Sequence, residues 1–147
     1  MSNQQRLKSS ADPVDPITET RPVVSVPVNF DGLMQAHLGR VFNERDAPRR
    51  LDALRELYAE DATLFEPHQA AAGYDAISAA VDELQASLPP SFVFTAAGTA
   101  VGHHGVARLQ WSAGPPTGPS AATGTDVAHI ENGRIKALYV FLDPAPR

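Results

Sequence analysis

The passage from a helical pattern to an extended one lies in a single stretch, Tyr58-Ala59-Glu60-Asp61-Ala62-Thr63-Leu64-Phe65-Glu66-Pro67. The residue before a proline is pushed out of the helical region of the backbone, so Glu66 is predicted at a strand end. Because strand side chains alternate between two faces, Glu66 shares a face with Ala62 and Leu64. A carboxylate on that face is either solvated or directed into a cavity, where it can act as an acid or a base.

Three helical patterns surround this stretch, two before it and one after it. We predict helices over 31–43, 48–58 and 74–87, because apolar residues recur at the spacing of one helical face. Asp46 is a plausible cap for the second helix. The first apolar stripe consists of Phe30, Leu33, Met34, His37, Leu38, Val41 and Phe42. The charged side chains of the second helix are expected to face solvent: Arg49, Arg50, Arg55 and Glu56.

After Pro90 the pattern changes to strands. Four segments are β-rich or alternating: 92–101, 106–113, 122–131 and 134–142. We expect a loop over 69–73 and a tight hairpin at Asn132-Gly133. Short connections make neighbouring strands antiparallel. Helices followed by such a meander predict an α+β fold, with helices packed on one face of a curved sheet.

Length and composition limit the domain count and the kinds of partner. A chain of 147 residues fits one domain, which we place at 29–147. Residues 1–28 are polar and rich in proline and are expected to form a flexible N-terminal arm. The net charge of -5, with no basic stripe, argues against nucleic acid and anionic membranes as partners. No signal peptide or membrane span is visible, so a cytoplasmic location is expected.

The chain contains no cysteine, which excludes disulfides, thiol nucleophiles and thiolate metal sites. The pair His103-His104 invites a metal interpretation, but neighbouring strand residues point to opposite faces and no third ligand has a matching spacing. We therefore predict no metal site. His37 lies alone on its apolar stripe, where a histidine is more often a packing residue than a catalyst.

The order of the elements resembles the cone-shaped fold of the nuclear transport factor 2-like superfamily, which includes ketosteroid isomerase and the SnoaL-like polyketide cyclases. The resemblance covers about residues 30–143. It depends on four pieces, the helix-to-strand passage at 57–63, the helix start at 73–77, the hairpin connection at 114–118 and the closing hairpin at 124–135. It implies three N-terminal helices packed on a curved, mainly antiparallel sheet.

The resemblance also implies a site. Glu66 matches the general base of ketosteroid isomerase, and Asp126 matches the acidic residue that donates a hydrogen bond to the developing oxyanion. The first helix lacks the tyrosine that the isomerase uses there. The remaining candidates for contact with a bound molecule are His37, Phe42, Tyr58, His68, Trp111 and Phe141.

These residues support two hypotheses. In the first, the protein is an acid/base enzyme of isomerase, cyclase or dehydratase type that needs no cofactor and acts on a small apolar carbonyl compound. In the second, it is a non-catalytic module of the same fold that binds a small ligand or a partner. By resemblance, we expect a homodimer formed through the sheet.

Overall fold

The computed structural model describes residues 27–145. The predicted α+β architecture is confirmed, with three helices on a curved sheet of seven strands. The helices are α1 (Phe30–His37, continued by a π-helical turn over Leu38–Phe42), α2 (Ala47–Leu57) and α3 (Tyr74–Ala86). The strands are β1 (Tyr58–Glu66), β2 (Gln69–Ala72), β3 (Val93–Ala96), β4 (Val101–His103), β5 (Val106–Gly114), β6 (Ala122–Glu131) and β7 (Arg134–Leu142). The predicted arm at 1–28 lies almost entirely outside the described residues.

The first helix begins at a side-chain cap and ends in a wide turn. Asn29 accepts a hydrogen bond from the backbone N–H of Gly32 at 2.8 Å. After α1 the backbone widens, and the N–H of Asn43 donates to the carbonyl of Leu38 at 3.0 Å. Single π-helical turns are rare in proteins, but those that occur are often found at functional sites. This one places Leu38 and Phe42 against the cavity described below.

Arg50 corrects the expectation of a solvated face on α2, because its side chain is fully buried. Its guanidinium donates to the carbonyl of Glu44 and to Ser78, Asp82 and Gln85 on α3, at 2.8–3.0 Å. A buried guanidinium is tolerated only where its N–H groups find acceptors. Those acceptors come from another helix and from the loop before α2, so the local pattern of α2 could not indicate them.

The sheet has the strand order β2-β1-β7-β6-β5-β3, and β4 pairs with β5. All neighbours are antiparallel except β1 and β7, which run parallel. Residues 69–72 form the edge strand β2 on β1, so the prediction of a loop there was wrong. Of the strand predicted over 92–101, only Val93–Ala96 is a strand (β3), and a second short strand, β4, begins at Val101. The Asn132-Gly133 hairpin is confirmed, since both residues have positive φ and join β6 directly to β7.

Alternation divides the sheet into two faces. The inner face packs against the helices and carries the buried residues of β5 and β6, including Leu109, Trp111, Asp126 and Ala128. The outer face is largely exposed and carries Phe141 on β7. Within residues 27–145 no helix is long and apolar enough to cross a membrane.

Candidate functional site

A cavity of about 220 Å³ opens between the inner face of the sheet, the end of α1 and α3. Eleven of its fourteen lining residues are apolar, and the polar ones are Glu66, His68 and Asp126. The apolar lining consists of Leu38, Phe42, Pro67, Leu84, Leu88, Phe94, Trp111, Ala113, Ala122, Val140 and Leu142. Pockets with a mostly apolar wall and a few polar groups are the usual form of small-molecule sites.

The two carboxylates singled out in the sequence, Glu66 and Asp126, line this same cavity. They come from β1 and β6, which are separated in the sheet by β7. Three further candidates also line it: Phe42, His68 and Trp111.

The other three candidates do not line the cavity. His37 and Tyr58 are fully buried and reach it only through their hydrogen bonds. Phe141 is 56% exposed and lies between Val140 and Leu142, which both face the cavity. Strand alternation therefore places Phe141 on the outer face, away from any molecule in the cavity.

Asp126 belongs to a buried chain of hydrogen bonds that runs from Trp111 to Tyr58. One carboxylate oxygen, Oδ1, accepts from the indole Nε1–H of Trp111 at 2.8 Å. The other, Oδ2, lies 2.7 Å from His37 Nε2, and His37 Nδ1 lies 2.6 Å from the hydroxyl of Tyr58. Asp126 is 2% exposed, and His37 and Tyr58 are not exposed at all. The chain brings together residues from α1, β1, β5 and β6.

The positions of the protons follow from which atoms can donate. The Trp111 indole is only a donor, so Oδ1 of Asp126 must accept. Within residues 27–145 the Tyr58 hydroxyl has one hydrogen-bond partner, His37 Nδ1. Tyr58 must therefore donate to Nδ1, because the reverse direction would leave its buried hydroxyl hydrogen unpaired at a cost of about 1–3 kcal/mol.

With Nδ1 as an acceptor, the hydrogen of a neutral His37 lies on Nε2 and is donated to Oδ2 of Asp126. Both oxygens of Asp126 then accept from protein donors, and no hydrogen bond of the chain needs a proton on its carboxyl group. The chain therefore fits an ionised Asp126, whose oxygens only accept. The resemblance implied a protonated Asp126 that donates to an oxyanion, and that role stays a prediction.

The hydroxyl of Tyr58 stays protonated in this chain. Burial, and next the negative charge of Asp126, raise the pKa of Tyr58 well above its ordinary value. Both causes disfavour a tyrosinate beside the carboxylate. Tyr58 is consequently a fixed donor to His37 and supplies no hydroxyl to the cavity.

Gly124, which was not among the candidates chosen from the sequence, leaves room for the indole of Trp111. Gly124 is the cross-strand partner of Trp111. A Cβ atom at this position would clash with the six-membered ring of Trp111 and would lie 2.5 Å from the carbonyl oxygen of Phe141. The missing side chain lets the indole lie across β6, two residues from Asp126. Glycine inside a strand often marks such a close approach.

Glu66 lies nearer the mouth of the cavity than Asp126. Its side chain is half-buried, and the neighbouring Pro67 and His68 are exposed. Oε1 of Glu66 accepts a hydrogen bond from the side-chain amide of Gln69 at 3.0 Å. Gln69 belongs to β2, the strand missed in the sequence, so that strand orients the carboxylate. Its Oε2 atom has no hydrogen-bond partner in the described part of the chain.

Phe42, Phe94 and Trp111 form an aromatic wall of the cavity and also belong to or pack against the core. Phe42 and Phe94 meet edge to face at 6.0 Å, and Phe94 meets Trp111 in the same way at 5.5 Å. Edge-to-face pairs are among the preferred arrangements of aromatic rings. The His37 ring packs against Phe42 at 5.0 Å behind this wall. Across residues 27–145 no cluster of three or more histidine or acidic side chains could hold a metal ion.

The cone of three helices on a curved sheet, with this cavity inside it, defines a nuclear transport factor 2-like protein. The profile of the SnoaL-like domain matches residues 35–138, and the chain belongs to this family. The resemblance inferred from the sequence is thereby confirmed. A comparison with curated proteins gives no match.

Solved structures agree with this assignment. A SnoaL-like family protein from Agrobacterium tumefaciens, provisionally named an isomerase, is 31% identical with a TM-score of 0.70, and the match covers 77% of this chain and 96% of that one. A provisionally named polyketide cyclase from Sinorhizobium meliloti is 20% identical, with a TM-score of 0.58 and coverage of 74% and 93%. A provisionally named ketosteroid isomerase from Kribbella flavida is 14% identical, with a TM-score of 0.62 and coverage of 80% of each chain. The last two show similarity of fold alone.

Proposed function

We propose that this protein is an acid/base enzyme that needs no cofactor and moves a proton on a small apolar carbonyl compound bound in the cavity. The observation that carries the proposal is that Glu66 and Asp126, from different strands, line one mainly apolar cavity. Two carboxylates in a shared apolar site are a recurring arrangement for proton transfer. The isomerase and cyclase names of similar structures are consistent with such chemistry.

In the proposed reaction, Asp126 removes a proton from the carbon next to the carbonyl group. Its carboxylate is held by His37 and Trp111 and needs no rearrangement to accept the proton. The electron pair of the broken C–H bond moves to the carbonyl oxygen and forms an enolate. In an isomerisation, the carboxyl group of Glu66 donates a proton from Oε2, which has no partner within the described residues, to the enolate. Exchange with water then removes the proton from Asp126 and restores the one on Glu66. Isomerisation, aldol cyclisation and dehydration all pass through this enolate.

Exchange of hydrogen for deuterium next to a carbonyl group tests the proposal without knowledge of the natural substrate. A panel of small ketones is incubated with the protein in D₂O, and the α-hydrogen signals are followed by NMR. We expect Asp126→Asn and Glu66→Gln each to slow exchange by about 10²-fold or more, the usual contribution of a positioned acid or base. Glu60→Gln is the matched control, because Glu60 lies on the same strand but outside the cavity. Exchange at the wild-type rate in both cavity variants would refute the proposal.

The second candidate is a non-catalytic module that binds a small ligand. The observation in its favour is the burial of Tyr58, whose hydroxyl faces His37 and not the cavity. An oxyanion in the cavity would lack the tyrosine donor that the resemblance led us to look for. Tight binding of ketones, with no exchange above that of a Glu66→Gln/Asp126→Asn double variant, would favour this candidate.

We also propose a homodimer formed through the outer face of the sheet. Phe65 and Tyr139 stack there at 4.6 Å, and Tyr139 and Phe141 are both exposed. Sedimentation equilibrium is expected to give a dimer for the wild type and a monomer for Phe141→Glu. Val28→Glu, at an exposed apolar residue before α1 and outside the sheet, is the control and should stay dimeric. A monomeric wild type at micromolar concentration would reject the dimer. The absence of nucleic-acid and membrane partners and the cytoplasmic location remain predictions.

A further inference from the structure

Two exposed histidines, His103 and His104, come together at the hairpin that joins β4 to β5. Their Nδ1 atoms lie 2.9 Å apart, and their ring planes are nearly perpendicular. The sequence led us to expect that the two side chains would point to opposite faces of a strand. That expectation is wrong, because His104 is the first residue of the turn and has a φ of 51°, so strand alternation does not apply to it.

The turn itself does not require a histidine. His104 and Gly105 have φ values of 51° and 78°, and two positive values at the centre of a two-residue hairpin are typical of a type I′ turn. The hairpin between β6 and β7 has almost the same values, 52° and 76°, at Asn132 and Gly133. Asparagine is preferred at this position because it tolerates a positive φ. The backbone therefore gives no reason for a histidine at position 104.

The separation of the two nitrogens suits a metal ion. Imidazole nitrogens bind such ions at about 2.0–2.1 Å. Two nitrogens at right angles around one ion are then about 2.8–3.0 Å apart, whereas two nitrogens of a tetrahedral site are about 3.3–3.4 Å apart. The observed distance of 2.9 Å agrees with the right-angled arrangement. Square-planar sites of this kind are typical of copper(II) and nickel(II), and copper(II) is the more tightly bound of the two.

Both rings can release their Nδ1 atoms to an ion. Without an ion, one Nδ1–H donates to the other Nδ1. Neither Nε2 atom has a hydrogen-bond partner within residues 27–145, so each ring can carry its hydrogen there instead. The two side chains are exposed, which lets water fill the remaining positions around the ion. The net charge of -5 also favours the approach of a cation.

We propose that His103 and His104 form a surface site that binds one copper(II) ion through their two Nδ1 atoms. The site is separate from the cavity. Val106, which begins β5 beside this turn, is five residues from Trp111 in the cavity wall, or about 17 Å along the strand. The proposal therefore does not depend on the proposed function.

Titration of the full chain, prepared without a histidine tag, with copper(II) chloride tests the site by calorimetry. We expect the tightest site to hold one ion per chain and its electron paramagnetic resonance spectrum to show coupling to two nitrogen nuclei. His103→Gln and His104→Asn should each weaken binding by about tenfold or more, because even the loss of a group that only orients a metal ligand costs about 10–100-fold. Zinc(II) should bind at least about tenfold more weakly than copper(II).

His104→Asn is the sharpest variant, because it removes a ligand and gives the turn a preferred residue. Its free energy of unfolding in urea should equal or exceed that of the wild type, so that lost copper binding cannot be attributed to a damaged fold. His129→Gln is the matched control. His129 is an exposed histidine on β6 whose Nε2 lies 3.7 Å from Oε2 of Glu131, and its substitution should leave the affinity unchanged.

Four outcomes would overturn the proposal. Unchanged affinity in both His103→Gln and His104→Asn would reject the site, and an equal loss in His129→Gln would reject its assignment to the two turn residues. Coupling to a single nitrogen, or zinc(II) binding as tightly as copper(II), would reject the right-angled pair. None of these measurements uses a ketone, so they stay decisive whether or not the protein catalyses deuterium exchange.

Discussion

Replacing Asp126 by asparagine is predicted to move the hydrogen of the buried His37 from one ring nitrogen to the other. In the wild type, Asp126 accepts from both Trp111 and His37. Asparagine has one acceptor and one donor end, and the Trp111 N–H requires the acceptor. The amide NH₂ must then face His37 Nε2, which has to become an acceptor. The hydrogen moves to Nδ1 and is donated to Tyr58, whose own hydrogen loses its partner.

The cost can be estimated from these changes. Two charge-assisted hydrogen bonds of 2.7 and 2.8 Å become neutral ones, which weakens each by about 1 kcal/mol. Leaving a buried hydroxyl hydrogen unpaired costs about 1–3 kcal/mol. Removing a buried charge returns part of this cost, because a charge is expensive to bury. We expect the free energy of unfolding to fall by about 2–4 kcal/mol.

Long-range ¹H–¹⁵N correlation of the histidine rings distinguishes the tautomers directly, and urea denaturation measures the stability. His37 is assigned by its absence from a His37→Gln spectrum. Asp61→Asn is the matched control, because Asp61 is an exposed carboxylate paired with Lys136 and exposed ion pairs contribute only about 0–1 kcal/mol. A wild-type His37 protonated on Nδ1 or on both nitrogens, or an unchanged tautomer in Asp126→Asn, would refute the proton order.

Three further predictions concern residues that support the site. Gly124→Ala should displace the indole of Trp111, cost about 1–3 kcal/mol and shift the tryptophan fluorescence; an unchanged spectrum would contradict the close approach. Arg50→Met should lower the free energy of unfolding in urea by about 3–5 kcal/mol, because it leaves buried acceptors without a donor. The matched change at the exposed Arg49, Arg49→Met, should alter it by under about 0.5 kcal/mol. Equal effects of the two substitutions would contradict the buried role of Arg50. Folding raises the pKa of Tyr58, so the stabilising effect of its neutral hydroxyl is complete below the pKa of the unfolded state and is lost as the pH rises towards the pKa of the folded state. The wild type should therefore lose stability above about pH 10 more steeply than Tyr58→Phe. Parallel curves of stability against pH for the two proteins would refute this prediction.

Much of the fold could be predicted because local signals agreed with the tertiary structure. The helix start at Asp46, the end of α3 before Pro89 and the Asn132-Gly133 hairpin each depend on a few neighbouring residues. Strand β2 was missed because Gln69–Ala72 has little strand propensity of its own and is stabilised by pairing with β1. Arg50 was misplaced for a similar reason, since its acceptors lie mainly on α3.

The members of the candidate site could be predicted better than their arrangement. Alternation along β1 and the family resemblance selected Glu66 and Asp126, and both line the cavity. The place of His37 behind Asp126 could not be predicted, because the two residues are 89 positions apart in the chain. Gly124 carries a weak signal, a glycine within an otherwise β-rich run. Only the register between β5 and β6 shows that it faces Trp111.

The chemical role of Asp126 also depends on how its neighbours are arranged, and not only on its presence in the site. A motif can identify the carboxylate, but whether it donates or accepts depends on where its proton lies. A neutral Asp126 with its proton on Oδ2, the oxygen that faces His37, would donate to His37 Nε2. The hydrogen of His37 would then lie on Nδ1, and the hydroxyl hydrogen of Tyr58 would lose its acceptor. Tyr58 does not touch the cavity, yet its hydroxyl disfavours a proton on Oδ2 at the buried end of it. Under the proposed function, substitutions at Tyr58 should therefore alter proton transfer at Asp126 although Tyr58 does not line the cavity.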